Sequence, residues 1–266
     1  MTATSTLKKF LLRYLPEPLL TPIRASRYLR TLRTLSLEDE RDLGLVDLLV
    51  KTGDCVVDIG ANYGVYTKYL SQRVGKSGRV MSIEPIRTTF SILRSCVKRL
   101  GLDNVDLFQC ALSDRPGTVT MMIPRYETGG KNLYQARIVE TSSTDGTTVE
   151  RVSSSTLDNL TAKVGGPVSF IKCDVEGHEL RCLGGAAETI TRWMPSWLIE
   201  IAGDPDQPES QASRVLALME SYGYGVFWYD GTKIHRRREG NESINYLFLT
   251  PTHASSLRCA GILAET

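Results

Sequence analysis

Residues 56–66 read Val-Val-Asp-Ile-Gly-Ala-Asn-Tyr-Gly-Val-Tyr and give the strongest local signal in the chain. The β-branched residues before Asp58 and Ile59 predict a buried parallel strand, and the glycines after them predict a tight turn. A helical pattern follows over residues 63–72. A strand, a glycine turn and a helix N-terminus form the place where α/β sheets bind nucleotide-like ligands.

A second strand is predicted over residues 79–85, which read Arg-Val-Met-Ser-Ile-Glu-Pro. It ends on an acid, Glu84, which follows Gly60 by 24 residues. A carboxylate at the end of this strand can accept hydrogen bonds from both hydroxyl groups of a ribose. The turn and Glu84 together therefore predict an adenosine-containing cofactor.

The details of the turn favour S-adenosylmethionine over NAD. A dinucleotide site needs glycine at the position of Asn62, so that a pyrophosphate can approach the backbone. Asp58, inside the strand, suits a ligand that carries an ammonium group. The predicted cofactor-binding residues are Asp58, Gly60, Ala61, Asn62, Gly64, Tyr66, Glu84, Pro85 and Ala111. The alternative for Asp58 is a structural one, in which it caps the turn and the glycines only separate strand from helix.

Four segments resemble those of the FkbM-type methyltransferases: VVDIGANYG, SIEP, NVDLFQCALSD and FIKCDVEGHEL. The resemblance covers about residues 43–248. It implies a Rossmann-like class I fold, with a mostly parallel seven-stranded sheet, an antiparallel last strand and helices on both faces. It also implies O-methylation of a sugar, polyketide or related hydroxyl. The chain departs from the family at two places. It has Ser82-Ile83 where the family often has Ala-Phe, and it has His178 where the family commonly has a small residue.

The predicted catalytic residues lie in the segment Lys172-Cys-Asp-Val-Glu-Gly-His-Glu, at the end of the fourth predicted strand. They are Lys172, Asp174, Glu176 and His178. Strand alternation predicts that the first three point to one side. An aliphatic hydroxyl needs a base to take its proton, and His178, Asp174 and Glu176 are the candidates. Ion pairing of Lys172 with a neighbouring acid is the structural alternative for part of this cluster.

A metal-free site is expected. Some O-methyltransferases of this fold bind Mg²⁺ through acids that follow the fourth and fifth strands, which lowers the pKa of the hydroxyl. Asp174, Glu200 and Asp204 stand in suitable places. The Asp-Asp or Asp-Asn doublet expected after the fifth strand is missing, so the sequence favours the route without metal.

The composition is that of one ordinary globular domain, and the resemblance implies that residues 37–266 form a Rossmann-like methyltransferase domain. A net charge of +2 in 266 residues gives no indication of a nucleic-acid partner. The six cysteines include no C-x-x-C pair, which favours a reducing cytoplasm. The sequence contains no run of 18 apolar residues, so no membrane span is expected.

Two alternative functions are a nucleic-acid or other N-methyltransferase and a non-catalytic, membrane-associated cofactor-binding module. The first would typically show an Asn/Asp-Pro-Pro-aromatic motif, and the acids at 174 and 176 argue against the second.

Two further segments lie outside these motifs. Residues 1–36 are basic and predict two short helices, 6–15 and 22–35, separated by prolines. This segment is interpreted as a helical cap or lid, with contact to a membrane surface as the functional alternative. Residues 124–148 are rich in Gly, Ser and Thr, and long inserts of this kind commonly form lids or binding loops. The sequence specifies neither the acceptor nor the oligomeric state.

Overall fold

The structure is a computed structural model, which describes residues 17–36, 40–124, 132–139, 148–241 and 243–264. The strands of this part are β1 (Cys55–Ile59), β2 (Arg79–Ile83), β3 (Val105–Phe108), β4 (Ala111–Leu112), β5 (Gly117–Ile123), β6 (Arg137–Val139), β7 (Thr148–Ser155), β8 (Val168–Cys173), β9 (Ser196–Glu200), β10 (Gly225–Tyr229), β11 (Ile234–Arg236) and β12 (Asn245–Leu249). The helices are α1 (Glu17–Thr34), α2 (Leu43–Leu49), α3 (Val65–Val74), α4 (Arg87–Leu100), α5 (Leu157–Val164), α6 (Glu179–Gly184), α7 (Ala187–Trp193), α8 (Gln211–Ser221) and α9 (Pro251–Cys259). A 3₁₀ turn covers Leu133–Gln135.

The main sheet has eight strands in the order β11-β10-β12-β9-β8-β1-β2-β3. Strands β3, β2, β1, β8 and β9 pair in parallel, and β12 pairs antiparallel with both β9 and β10. This strand order confirms the predicted α/β, Rossmann-like class. The sequence predicts a final hairpin of residues 224–228 and 244–249. Strands β10 and β12 do pair in this way, but the short strand β11 lies between them in sequence. It adds an eighth strand to the seven expected.

Both faces of the main sheet are buried, as the run of apolar residues in each strand requires. Val57, Ile171 and Trp197 belong to a core on one face, and their strand neighbours Val56 and Phe170 belong to a core on the other. Successive side chains point to opposite faces of a strand, so each central strand contributes to both cores. The sheet is thereby fixed between two layers of helices.

The second sheet has the order β4-β7-β5-β6. Strand β5 pairs antiparallel with β7 from Gly117, opposite Ser154, to Ile123, opposite Thr148. The sequence predicts residues 118–123 as a short strand near the edge of the sheet, and the structure places this strand in the second sheet instead. Part of the 124–148 insert belongs to this second sheet, because Met121 of β5 pairs with Ile138 of β6. The rest of the insert, 125–131 and 140–147, lies outside the described residues.

The N-terminal helix α1 begins at Glu17, whereas the sequence predicted a start at Pro22. A proline at the sixth position removes one hydrogen bond, and the packing of Ala25, Leu29 and Leu32 against α4 offsets that loss. The predicted helix 6–15 lies outside the described residues. In the part of the chain that the structure describes, none of the helices combines the length and the apolar character needed to cross a bilayer.

The sequence pattern predicts a single helix over residues 179–190, and the structure contains two, α6 and α7. The break lies at Gly185, where an added Cβ atom would lie 2.1 Å from the carbonyl oxygen of Ser113. The close approach to Ser113 requires glycine, and α6 ends just before it.

Candidate functional site

The turn between β1 and α3 is held against the ends of two neighbouring strands. Gly60 has a φ of 76°, and a Cβ atom on it would lie 1.8 Å from the carbonyl oxygen of Asp174. The N–H groups of Gly60 and Ala61 both donate to the carbonyl oxygen of Ile83 at 3.0 Å. Asn62 takes a left-handed conformation with a φ of 51°, which asparagine tolerates better than most residues. The turn can therefore follow only this path between β2 and β8.

Glu84 is fixed in the cleft by the backbone of two loops. Its Oε2 accepts a hydrogen bond from the N–H of Asn62 at 3.1 Å, and its Oε1 accepts one from the N–H of Ile86 at 2.9 Å. Burial raises the pKa of Glu84 to about 8, against the lowering effect of these two hydrogen bonds. Each oxygen keeps a lone pair for a further donor. Glu84 is thus a buried acceptor whose orientation is set before any ligand binds.

A narrow cleft runs along the carboxyl ends of β1, β2 and β8. Its walls are formed by Ile59, Gly60, Asn62, Ile83, Glu84, Pro85, Ile86, Cys110, Ala111, Leu112, Met121, Leu133, Tyr134, Ala136, Ile138, Asp174, Val175 and Glu176. The second sheet supplies the apolar wall opposite the strand ends, through Met121, Leu133 and Ile138. A flat, weakly polar ring fits between such walls, with Glu84 at one side. This wall includes part of the 124–148 insert for which the sequence predicted a lid or binding loop.

Five of the predicted cofactor-binding residues line this cleft: Gly60, Asn62, Glu84, Pro85 and Ala111. The other four do not. Asp58 points to the opposite face of the sheet, where its Oδ2 accepts a hydrogen bond from Thr67 Oγ1 at 2.5 Å, and burial raises its pKa to about 6.

The remaining three support the turn from behind. Ala61 packs with Leu93 of α4, and Gly64 caps the start of α3 at a φ of 102°. Tyr66 lies beside Lys172, on the same side of the sheet as Asp58.

The predicted catalytic acids Asp174 and Glu176 both line the cleft. Lys172 does not line the cleft. Strand β8 ends at Cys173 and Glu176 has a left-handed φ of 49°, so the predicted alternation does not extend to Glu176. Burial raises the pKa of Glu176, and the nearby carboxylate of Asp174 raises it further.

Lys172 lies behind the cleft, on the α3 side of the sheet. Its Nζ is buried and has no hydrogen-bond partner among the described residues. It lies 3.9 Å from Oε2 of Glu200 and 5.4 Å from the ring centroid of Tyr66. This geometry matches the structural alternative, in which the lysine pairs with a neighbouring acid.

His178 lies at the start of α6, outside the cleft wall. Its Nε2 is 3.0 Å from Oγ of Ser113. Burial lowers the pKa of the ring, and the guanidinium of Arg181 lowers it further, against the effect of Asp114. A neutral ring at neutral pH follows from these shifts.

Glu179 is a site residue to which the sequence analysis gave no role. It is buried, and its carboxylate accepts hydrogen bonds from the N–H of Gly177 at 2.8 Å and from Nε2 of Gln211 at 2.6 Å. These contacts fix the turn that carries Glu176. The only signal in the sequence is its place as the last acid of the K-x-D-x-E-G-x-E segment.

The predicted alternative metal ligands are not grouped. Within the described ranges, no three His, Cys, Asp or Glu side chains come together as a metal site would require. Glu200 lies next to Lys172, and Oδ1 of Asp204 accepts a hydrogen bond from the N–H of Asp206 at 2.8 Å.

The cleft residues fit S-adenosylmethionine. Glu84 offers two oriented oxygens to the ribose hydroxyls, the backbone of Ala111 and the apolar wall suit the adenine, and the turn at Gly60 leaves room for the methionine part. Asp174 and Glu176 line the same cleft.

Comparison with known proteins finds one family. A model of the methyltransferase FkbM domain matches residues 58–226. Protein-L-isoaspartate O-methyltransferase 2 of Archaeoglobus fulgidus is 40% identical over 63 residues, which are 24% of this chain and 28% of that protein. The protein named probable cobalt-precorrin-6B C(15)-methyltransferase (decarboxylating), of Saccharolobus solfataricus, is 30% identical over 109 residues, or 41% of this chain and 55% of that protein. The chain thus spans between about a quarter and about half of the length of these curated relatives.

Two solved structures are also similar. The methyltransferase FkbM of Methylobacillus flagellatus KT is 18% identical, with a TM-score of 0.47, over 76% of this chain and 45% of that chain. A SAM-dependent methyltransferase of Aquifex aeolicus is 16% identical, with a TM-score of 0.44, over 79% of this chain and 88% of that chain. The fold assignment rests on the strand order described above.

Proposed function

The chain belongs to the FkbM family of S-adenosylmethionine-dependent methyltransferases, and we propose that it methylates a hydroxyl group of a small molecule or glycan. S-adenosylmethionine supplies an activated methyl group on a sulfonium, whose departure needs no proton. The protein has two remaining tasks, which are to align the acceptor oxygen with the methyl group and to remove its proton.

The observation that carries the proposal is the position of two acids in the wall that also contains Glu84. Asp174 and Glu176 follow β8 directly and line the same cleft as Glu84. A carboxylate there can accept the hydrogen bond of an approaching hydroxyl and then its proton. A hydroxyl is a weak nucleophile until its proton is leaving, so a carboxylate beside the acceptor supports oxygen as the acceptor atom.

In this proposal Glu176 is the base and Asp174 orients the acceptor. The raised pKa of Glu176 makes it a better proton acceptor than an unperturbed carboxylate. The neutral ring of His178 is the second candidate for the base, although its Nε2 faces Ser113. Lys172 and Glu200 act from behind the cleft, where their charges help to hold the ends of β8 and β9 in place.

We further propose that residues 37–266 form the methyltransferase domain and that residues 1–36 form its cap. The packing of α1 on α4 supports this division, because the helix covers a neighbour of the cofactor turn without entering the main sheet. A hydroxylated small molecule or glycan is then the partner, with no nucleic acid. A reducing compartment such as the cytoplasm suits the six cysteines, all of which are free.

The proposal is tested by methyl transfer to a panel of hydroxylated sugars, phenols and polyketides, with S-adenosylhomocysteine release as the readout. The product is then analysed by NMR, which distinguishes a methoxy group from an N-methyl or C-methyl group. We expect a methoxy product. A protein that binds the cofactor but forms only N-methyl or C-methyl products would overturn the assignment of oxygen as the acceptor.

A further inference from the structure

Three tyrosines from three separate parts of the chain meet beside the cofactor cleft. Tyr28 and Tyr63 are stacked, with ring centroids 4.2 Å apart and planes at 23°. Tyr134 lies edge-on to both, with centroids 6.4 Å from Tyr28 and 6.0 Å from Tyr63. Its hydroxyl donates a hydrogen bond to the hydroxyl of Tyr28 at 3.0 Å. We call these three residues the tyrosine clasp.

Each member of the clasp is carried by a different element. Tyr28 lies on α1, Tyr63 in the turn between β1 and α3, and Tyr134 in the 3₁₀ turn of the insert. Helix α1 is itself anchored, because Lys68 Nζ of α3 donates to the carbonyl oxygen of Leu32 at 2.5 Å. The clasp is therefore the point where the N-terminal cap and the insert meet on the cofactor turn.

Two of the three tyrosines connect directly to the cleft. Tyr134 forms part of its wall, and Tyr63 follows Asn62, whose N–H donates to Glu84. A group bound between the strand ends and the wall that contains Tyr134 is released more easily if that wall moves outward. Such a movement separates Tyr134 from Tyr28 and Tyr63, since those two are fixed to α1 and to the turn.

We infer that the tyrosine clasp holds the cofactor cleft closed, and that Tyr28 is a positioning residue which retains the bound cofactor through Tyr134. This inference rests on the proposed function for the identity of the ligand. Tyr28 does not line the cleft, so it acts only by holding the wall in place. An aromatic pair and a hydroxyl hydrogen bond each make a modest contribution, so a loss of retention of about fivefold to thirtyfold is expected when both are removed.

The test compares Tyr28→Ala, Tyr28→Phe, Tyr134→Phe and the double phenylalanine variant with the wild-type protein. Binding of S-adenosylhomocysteine is followed by stopped-flow kinetics, and hydrogen exchange of residues 132–139 is measured with and without the ligand. Ser26→Ala is the matched control: it lies on the exposed side of α1, where Arg99 Nη1 donates to its hydroxyl at 3.2 Å, and it does not touch the clasp.

Tyr28→Ala should increase the dissociation rate by about fivefold to thirtyfold and change the association rate little. It should also speed exchange in residues 132–139, which lie more than a hundred positions away in sequence. The double phenylalanine variant should dissociate no faster than Tyr134→Phe, because both changes remove the same hydrogen bond.

Unchanged dissociation and exchange in Tyr28→Ala, with a normally folded protein, would overturn the clasp. A wild-type protein that does not bind S-adenosylhomocysteine, yet whose exchange in residues 132–139 responds to Tyr28→Ala, would instead overturn the proposed function. In that outcome the contact between α1 and the insert would be confirmed, but its role in retaining S-adenosylhomocysteine would not.

Discussion

Gly60 and Asp174 touch backbone to backbone, at a distance that leaves no space for a side chain. A Cβ atom on Gly60 would lie 1.8 Å from the carbonyl oxygen of Asp174, and the N–H of Asp174 donates to the carbonyl oxygen of Ile59 at 3.0 Å. The cofactor turn and the acids after β8 are therefore parts of one rigid unit. A change in one is transmitted to the other through the backbone.

Gly60→Ala should damage both folding and cofactor binding. The left-handed φ and the contact with Asp174 together should cost about 2–5 kcal/mol of unfolding free energy. Gly101→Ala is the matched control, because Gly101 has a φ of 67° but no atom within 4 Å of its added Cβ. It should cost only about 1–2 kcal/mol. Denaturant unfolding measures both, and equal losses in the two variants would show that contact with Asp174 does not matter.

The raised pKa of Glu84 predicts that cofactor binding depends on pH. Ribose hydroxyls donate to the ionised carboxylate, so the ligand favours the form that dominates above about 8. Affinity for S-adenosylhomocysteine should rise as the pH increases towards that value, and binding near pH 7 should release a proton. Calorimetry in buffers of different ionisation enthalpy measures this release.

Glu84→Gln provides the control for this titration. It should abolish the proton release and weaken binding by roughly tenfold to a hundredfold, because a neutral amide is a poorer acceptor. Equal proton release by the wild-type protein and Glu84→Gln would assign the titration to another group.

Asp174→Asn and Glu176→Gln should separate catalysis from binding. Each keeps the shape of the side chain and removes its charge, so methyl transfer should fall by at least about 100-fold. The dissociation constant of S-adenosylhomocysteine should change little, because Glu84 and the apolar wall are untouched. Glu220→Gln, on the exposed face of α8, is the control. Wild-type rates in both active-site variants would remove the two acids from the mechanism.

His178→Ala and chelation distinguish the remaining routes to a deprotonated hydroxyl. The ring of His178 lies outside the cleft wall, so we expect a loss well below the roughly 10²–10⁴-fold fall of a missing base. EDTA should leave the rate unchanged, because Glu200 pairs with Lys172 and Asp204 is bonded within its own loop. A rate abolished by EDTA and restored by Mg²⁺ would establish the metal route instead.

The sequence predicted best those parts of the site in which the same residues determine both the local structure and the function. The apolar face formed by Phe90, Leu93 and Val97 predicts a helix over residues 87–100, and α4 has these bounds. The turn after β1 holds Gly60, Asn62 and Glu84 close together, as predicted. These elements follow from local periodicity and glycine placement. The direction of Asp58 does not, because its partner Thr67 is set by how α3 packs on the sheet.

Other features depend on contacts between distant segments. Strand β7 reads Thr-Val-Glu-Arg-Val-Ser-Ser-Ser. Its many polar residues gave no prediction of a strand, although it pairs along the whole of β5. Pro22 predicts the start of a helix, but α1 begins before Pro22, because tertiary packing stabilises it. Strand alternation groups Glu176 with Lys172 in the sequence, but β8 ends at Cys173, before Glu176.

Strand β12 lies between β9 and β10, although both of these come earlier in the chain. During synthesis on the ribosome, β9 must therefore wait with one edge unpaired until residues 245–249 have emerged. Asn245 pairs with Glu200 in this register. A nascent chain that stalls before this point exposes an apolar strand edge, which is prone to pair with other chains. Pairing of β12 covers this edge of β9 and thereby protects the newly synthesised protein from aggregation.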